Sequence, residues 1–552
     1  MQRRSLEISV ALGAAIGLAV ACGTNTGAPS ASHPIPPPDA DAGEGNAGAA
    51  TGGTTGGATP IGRPRTSRPQ GGEGGQGEEP RGGEGGSSGS DIVVPVTCAG
   101  DATEPPDVNE CGDGYRAPGE ECDDGNEIGD DACSSSCRVQ DSRPFGAPAP
   151  DVEQTIGAGR HAIGAGCAGI AVAHVERGSD PDSIPSVVLT RFDRSGAFLG
   201  ATRDVSTGST ASAGANPVVA ELGGSAFAVA WTDFGGDGSG LGIALRRVSA
   251  ATGMTGPLTF ANSTTFAAQS DPDLLWTGDT LVAAWVDHSS LTQAPDLKLR
   301  RFSGDLVPLG EEEELAVTAN HEADVALAPY RSSWAAAWRS SSEGVERIQV
   351  RANDVTWTVG PFAPGAEGDR PALAEVDSQH LLVVFSVGTD PTESGVADVP
   401  RLRGALLGTP GPTPSFEIAP TVMPYDADPS LGQSEPNVVR VADKVYVGWR
   451  SSPVVADPLG EELWLKEISL RVQGGNLVLD LGAHEVPLPR SEAHRTGDQR
   501  FASLFSVPFA FGGAFAVAWM DYGPFGAGAS APGPVFELIP APVLRLPGEG
   551  MP

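Results

Sequence analysis

The chain has 552 residues, enough for several domains, and a formal charge of −35 from 70 acidic against 35 basic residues. Nucleic-acid binding and docking on anionic lipid heads both need clustered cations, so this balance argues against both. Lysine occurs only at positions 298, 444 and 466, and arginine carries most of the positive charge.

Gln2, Arg3 and Arg4 give a short basic start, followed by an apolar run from Ile8 to Ala21. That run is too short for a bilayer core, which takes about 20 helical residues, and it predicts a signal peptide over 1–21. Ala19-Val20-Ala21-Cys22 closes it with small residues directly before a cysteine. This resembles the lipobox of bacterial lipoproteins, with Ala19 where Leu is commonest. The resemblance implies that Cys22 is the acylated first residue of the mature protein and ties the chain to a membrane. Gly23 rather than Asp next to it implies the outer membrane, facing the periplasm or the cell surface. No later stretch approaches 18 uninterrupted apolar residues.

Residues 22–92 read as a disordered linker. Between Thr24 and Ser90 the only large apolar residues are Ile35 and Ile61, and residues 41–90 hold 18 glycines. Such a stretch cannot bury a core. About 70 flexible residues reach roughly 40–50 Å on average.

Cysteine use then changes over 93–140. Setting Cys22 aside leaves Cys98, Cys111, Cys122, Cys133, Cys137 and Cys167, an even number that suggests three disulfides in an oxidising compartment. The segment from Cys111 to Cys137 runs CGDG, GEECDDGN, GD, CS, C. It resembles the myxobacterial cysteine-rich disulfide repeat, an accessory module of cell-surface and secreted proteins. Tyr115 and Ile128 are its only large apolar residues, so cross-links must replace burial. Cys98 then pairs either with Cys167 across the module or with a cysteine inside it. Asp123, Asp124, Asn126, Asp130 and Asp131 crowd the same turn and could hold Ca²⁺, although Ile128 breaks the EF-hand order. The alternative is a solvated acidic turn, and no other cofactor is expected.

From residue 152 to 552 one strand recurs: GIAVAHVE, FAVAWTDFG, LVAAWVDHS, WAAAWRSSS, LLVVFSVG, VYVGWRSS and FAVAWMDYG. Aligned on His174, Trp231, Trp285, Trp338, Phe385, Trp449 and Trp519, the units are spaced by 57, 54, 53, 47, 64 and 70 residues. A preceding strand, often introduced by Pro, and a following strand ending in Arg accompany it. Four short strands per repeat without helical periodicity predict an all-β propeller, with seven blades favoured over six or eight. Phe227, Val229 and Trp231 alternate with Ala228 and Ala230, giving a bulky and a small face, both apolar. Stacked blades need that pattern.

For chemistry, the repeated tryptophans read as packing residues rather than sugar platforms. Asp233, Asp287 and Asp521 read as turn formers or, alternatively, as a ligand-binding rim; the loop from Asp233 to Gly240 is the most ligand-like. Arg191, Arg247, Arg301, Arg351 and Arg471 read as inter-blade salt bridges, or as a carboxylate-binding cluster if they face a channel. No catalytic motif stands in a fitting context, and Gly85–Gly89 matches the nucleophile-elbow formula only inside the linker. The expectation is therefore a non-enzymatic envelope protein that binds an extracellular protein or glycan. The alternative is a carbohydrate-active hydrolase or lyase with its site at the channel mouth.

Overall fold

The computed structural model describes residues 98, 135–136, 143–144, 152–155, 162–178, 184–208, 216–289, 294–362, 370–388, 400–408, 416–417, 432–441, 444–452, 462–473, 476–480, 485–488, 499–507, 514–521 and 533–540. All of them fall in the unit Gly86–Pro552. Among the described residues there is no helix, and none is long and apolar enough to cross a membrane.

The first strand, β1 (Arg143–Pro144), lies before the expected start of the domain at 152. Sheet I follows, with β2 (Val152–Thr155), β3 (Ile163–Gly166), β4 (Gly169–Gly178), β5 (Ser186–Phe192) and β6 (Phe198–Thr202). Sheet II holds β7 (Val218–Glu221), β8 (Ala226–Phe234), β9 (Leu241–Ser249) and β10 (Thr255–Phe260). Sheet III holds β11 (Gln269–Trp276), β12 (Leu281–Asp287), β13 (Asp296–Phe302) and β14 (Glu313–Ala316). Sheet IV has β15 (His321–Tyr330), β16 (Ser333–Ser342), β17 (Val345–Ala352) and β18 (Val355–Phe362). Sheet V has β19 (Ala372–Asp377), β20 (His380–Gly388), β21 (Pro400–Leu407) and β22 (Phe416–Glu417). Sheet VI comprises β23 (Gly432–Val441), β24 (Lys444–Ser452), β25 (Glu462–Gln473), β26 (Asn476–Asp480) and β27 (Glu485–Leu488). Sheet VII comprises β28 (Gln499–Val507), β29 (Ala514–Asp521) and β30 (Gly533–Pro540).

Within each sheet the strands pair antiparallel, mostly with their sequence neighbours as short turns allow; β2 pairs with β4 and β27 with β25. The first strands then touch in order round a circle: β3, β7, β11, β15, β19, β23, β28 and back to β3. Sheet VII takes its outermost strand from the other end of the chain. β1 pairs with β30, Arg143 opposite Phe536 and Pro144 opposite Val535. A closed ring of radially stacked antiparallel sheets is a β-propeller.

The stacking follows from the period-two pattern of the second strands. Phe227, Val229 and Trp231 pack against Ala171, Ala173 and Leu189 of sheet I, while Ala228 and Ala230 receive Leu281 and Trp285 of sheet III. Val282 and Ala284 meet Trp334 and Trp338, and Ala335 and Ala337 meet Phe385. Leu382 and Val384 meet Trp449, Tyr446 meets Trp519, and Ala516 and Ala518 meet Ile163 and Ile170 of sheet I. Each gap between sheets thus has its own core. Where the facing residues are alanines, as in sheets I, II, IV and VII, the bulky face of the next sheet fills the space they leave, which is how interiors reach close packing.

Candidate functional site: a polar belt on the inner strands

Among the described residues, the inner strands of sheets III, IV, VI and VII carry a bulge at one repeated place, directly opposite the aromatic of the second strand. In sheet III, Ser270 pairs with Val286 and Asp273 with Ala284, so Asp271 and Pro272 together face Trp285. The same two-against-one register puts Asp324 and Val325 opposite Trp338, and Glu435 and Pro436 opposite Trp449. Phe501 and Ala502 hold that place opposite Trp519. Asp271, Asp324 and Glu435 have φ of 56°, 58° and 53°, and Asn216, just before β7, has 43°. Asn and Asp tolerate this left-handed region better than other side-chain-bearing residues. A bulge there re-aims the side chain and ends the regular ladder.

The belt's side chains bond to one another. Asn216 donates from Nδ2 to Asp271 Oδ1 at 2.9 Å, joining sheets II and III. Asp324 accepts from Arg339 at 3.1 Å and Glu435 from Arg450 at 3.2 Å, the two arginines each standing one residue after the aromatic. Asp273, fully buried, accepts from the Leu327 backbone N–H at 2.7 Å and from Arg370 Nη2 at 3.1 Å. Arg370 also donates to the Val325 carbonyl, so one buried pair spans sheets III, IV and V. Sheet I departs from this scheme. Its inner strand is split, with Thr155 opposite Val175 and Ile163 opposite Val172, and buried His174 replaces the tryptophan. The His174 imidazole, with Arg203 beside it, holds the Glu176 carboxyl down at about 2.

A second polar network lies between sheets II and III, beyond the ends of β10 and β12. Asn262 donates to Asp237 at 2.7 Å and to Gln269 at 3.1 Å, and Gln269 donates to Asp287 at 3.2 Å. Lys298 binds Asp287 at 2.7 Å and Glu312 at 3.3 Å. Burial would raise the pKa of Asp287, yet the bonds from Lys298 and Ser289 outweigh it and hold the carboxyl low. Burial likewise acts to lower Lys298, and its two carboxylate partners push it up instead.

The tryptophans expected to pack do so: Trp231, Trp285, Trp338, Trp449 and Trp519 are all buried. Asp233 accepts the Gly236 N–H at 2.9 Å and Asp287 the Ser289 N–H at 3.0 Å, as turn-forming carboxylates do. The Asp233–Gly240 loop is tied down through Asp237 and Asn262. Of the arginines, Arg247 forms the expected salt bridge between sheets, to Asp305 at 3.9 Å, and others bond to backbone instead. Arg191 donates to the Ala250 carbonyl, Arg247 to that of Gly304 at 3.2 Å and Arg351 to that of Leu315 at 3.1 Å. These are bonds to the backbone of a neighbouring sheet, to turn carbonyls at Ala250 and Gly304 and to a strand carbonyl at Leu315. Arg301 forms its salt bridge inside its own sheet, to Glu313 at 3.1 Å. The side chains of Arg471 and Asp521 lie outside the described residues.

Cys98 is bonded to Cys167, in the turn between β3 and β4, with a Cα–Cα distance of 5.3 Å. Cys22, Cys111, Cys122, Cys133, Cys137 and the acidic set Asp123, Asp124, Asn126, Asp130 and Asp131 lie outside the described residues. Among the described residues no cluster of three His, Cys, Asp or Glu could hold a metal ion.

The belt was missed in the sequence, although a signal was there. Gln269, Glu322, Gln433 and Gln499 each stand two residues before the first bulge residue, and Asn216, Asp271 and Glu435 each precede a proline. Gln433 accepts from the Leu402 N–H at 3.0 Å, and Glu322 accepts from Trp338 Nε1 at 2.8 Å.

No protein-family model matches the chain, and no curated protein matches it in sequence. Several solved structures resemble it. A neuraminidase-like protein of subtype N10 from A/little yellow-shouldered bat/Guatemala/060/2010 is 8% identical, with a TM-score of 0.37 over 74% of this chain and 99% of that one. An α-L-arabinofuranosidase from Fusarium graminearum is 9% identical, with a TM-score of 0.35 over 63% and 98%. A protein of unknown function from Dyadobacter fermentans DSM 18053 is 13% identical, with a TM-score of 0.35 over 59% and 94%. None of these scores reaches 0.5, and the functional reading rests on the chain's own residues.

Proposed function

We propose that this chain is an exported lipoprotein whose propeller, seven blades with one per sheet, binds an extracellular glycan or protein without turning it over. The observation that carries this reading is the state of the inner-strand carboxylates. Asp271, Asp273, Asp324 and Glu435 are each engaged by Asn216, Arg370, Arg339 and Arg450. A glycosidase needs two carboxyl groups free to exchange protons or attack carbon across the scissile bond. All four are already bonded, Asp271 and Asp273 across neighbouring sheets and Asp324 and Glu435 within their own.

In this reading Cys22 carries the lipid, residues 22–92 are the tether, and the segment from Cys111 to Cys137 is the accessory disulfide module. The protein then sits on the outer membrane. The test of binding is to titrate purified full-length chain against a panel of polysaccharides and to assay for new reducing ends. Saturable retention without new reducing ends is expected; new reducing ends would transfer the protein to the hydrolase class, and unsaturated product ends to the lyases. For the anchor, cells expressing wild-type chain should incorporate labelled fatty acid into it, and Cys22→Ser should abolish the label. A Cys22→Ser protein that still labels would remove the assignment.

A further inference from the structure

We infer that the start of β13 carries a subsite for an amino sugar, in which Asp296 receives the ammonium group and Phe266 the apolar face of the ring. This rests on the reading of the chain as a glycan-binding protein and names the place and the class of glycan. The observation that carries it is a buried carboxylate without a counter-charge. β12 and β13 pair residue for residue, from Leu281 opposite Phe302 to Asp287 opposite Asp296. Directly opposed side chains project to one face, here the face that Trp285 turns to sheet II, so the two carboxylates stand side by side. Like charges so placed are destabilising unless something compensates them. Asp287 has Lys298 at 2.7 Å. Asp296 is 5% exposed, and its Oδ1 has no hydrogen-bond partner among the described residues. Arg300, the next cation along that face, donates to the carbonyls of Gly310 and Ala261 instead. Among the described residues, the network from Asp237 to Glu312 thus gathers four carboxylates, Asp237, Asp287, Asp296 and Glu312, around the one ammonium of Lys298.

A buried carboxylate left without a partner favours a ligand that brings positive charge and N–H donors. Among the described residues no three acidic, histidine or cysteine side chains gather tightly enough for a metal ion. An ammonium needs fewer ligands, and that of Lys298 already sits between Asp287 and Glu312. The rim supplies the apolar half. Phe266 is 68% exposed and its carbonyl accepts from Gln269 Nε2 at 3.1 Å, which places this residue where the network meets solvent. Phe234, 60% exposed, opens the neighbouring loop, and that loop packs on the same segment. Its Gly240, at φ 58°, lies so near that a Cβ would come 2.8 Å from the Ala267 carbonyl. An aromatic face both attracts a cation and buries C–H surface. A sugar ring bearing an ammonium offers both from one rigid body. A lysine side chain presents its ammonium on a flexible stem and has no ring to bury.

The test is calorimetric titration of the purified full-length chain, at physiological salt, with the trimer of glucosamine, its N-acetylated form, cellotriose and a lysine tetrapeptide. The glucosamine trimer should bind saturably and at least tenfold tighter than the other three. Asp296→Asn should weaken it at least tenfold and Phe266→Ala at least threefold. Asp354→Asn removes the same charge from the exposed turn between β17 and β18, at the opposite end of the strands, and should change nothing. Equal losses in Asp296→Asn and Asp354→Asn would reduce the binding to general attraction of a cation by an acidic protein and overturn the subsite. Equal binding of the acetylated or neutral trimer, insensitive to Asp296→Asn, would overturn the subsite and leave glycan binding standing. Tighter binding of the lysine peptide would overturn the sugar assignment. No saturable binding of the glucosamine trimer would overturn the subsite, and the polysaccharide panel then decides the broader reading separately. Should Asp296→Asn fail to fold, wild type decides alone: acetylating the amines must cost the tenfold, and an undiminished affinity rejects the subsite.

Discussion

Trp285 and Trp338 occupy the same place in successive sheets, and only one of them has a polar partner. Trp338 Nε1 donates to Glu322 Oε2, whereas Trp285 Nε1, equally buried, has no acceptor among the described residues. Replacing either by Phe removes similar packing. Trp338→Phe in addition strips a donor from Glu322, a carboxylate 1% exposed whose remaining bonds come from Thr318 and Ser340. We expect Trp338→Phe to destabilise the protein by about 1–3 kcal/mol more than Trp285→Phe, read from denaturant midpoints at equal slope. Equal losses would mean that the indole bond adds nothing. The packing role of these tryptophans was legible in the sequence because a period of two is local, so a strand declares its two faces by itself. The partner of Trp338 was not, because Glu322 reaches it only through a register set by the bulge.

Glu176 allows a second test at the same scale. Its carboxyl is held at about 2 against an ordinary 4.5, chiefly by His174 and then by Arg203. A depressed carboxylate contributes stability that is complete above its unfolded pKa and is lost as pH falls through the folded one. The stability difference between wild type and Glu176→Gln should therefore shrink steadily as pH falls from about 4.5 towards 2. Thermal midpoints of the two proteins across that range check it; a difference that widens on acidification would reverse the sign.

Between residue and ring stands the bulged inner strand. Asp273 and Arg370 link three sheets through side chains that are 0% and 7% exposed. Breaking one partner of a buried pair leaves the other charge desolvated, which costs about 3–5 kcal/mol, whereas replacing both by apolar groups is often neutral. Asp273→Ala should lose that amount, and Asp273→Ala/Arg370→Leu should recover most of it in a double-mutant cycle. Additive losses would show that the two do not act as a pair. The sequence displayed the prolines expected to introduce the inner strands; Pro217 and Pro371 stand directly before β7 and β19, whereas Pro272 and Pro436 lie inside β11 and β23, at the bulge. What it hid was that the residue before the proline turns to positive φ opposite an aromatic from the next strand. A bulge is a property of two strands in register, and one strand read alone carries only half of it.

The ring as a whole was legible in its repeat and illegible in its closure. Seven recurrences of one strand predict the stacking, because each unit exposes apolar faces that only a neighbour can cover. Arg143–Pro144 has no periodicity and no hydrophobic signature, and its partner lies at the far end of the chain. The expected boundary at 152 accordingly leaves the closing strand out. A chain beginning at residue 150 would lack β1 and Cys98, leaving the outer edge of β30 unpaired and Cys167 with a free thiol. Exposed strand edges pair with other chains, so such a fragment should self-associate. A chain beginning at residue 93 keeps β1 and the disulfide, and should remain monomeric at the same concentration with a higher thermal midpoint. Sedimentation and thermal unfolding of the two fragments decide it. Identical behaviour would show that the ring closes without its N-terminal strand, and that packing across the last joint, around Phe192 and Phe536, is sufficient by itself.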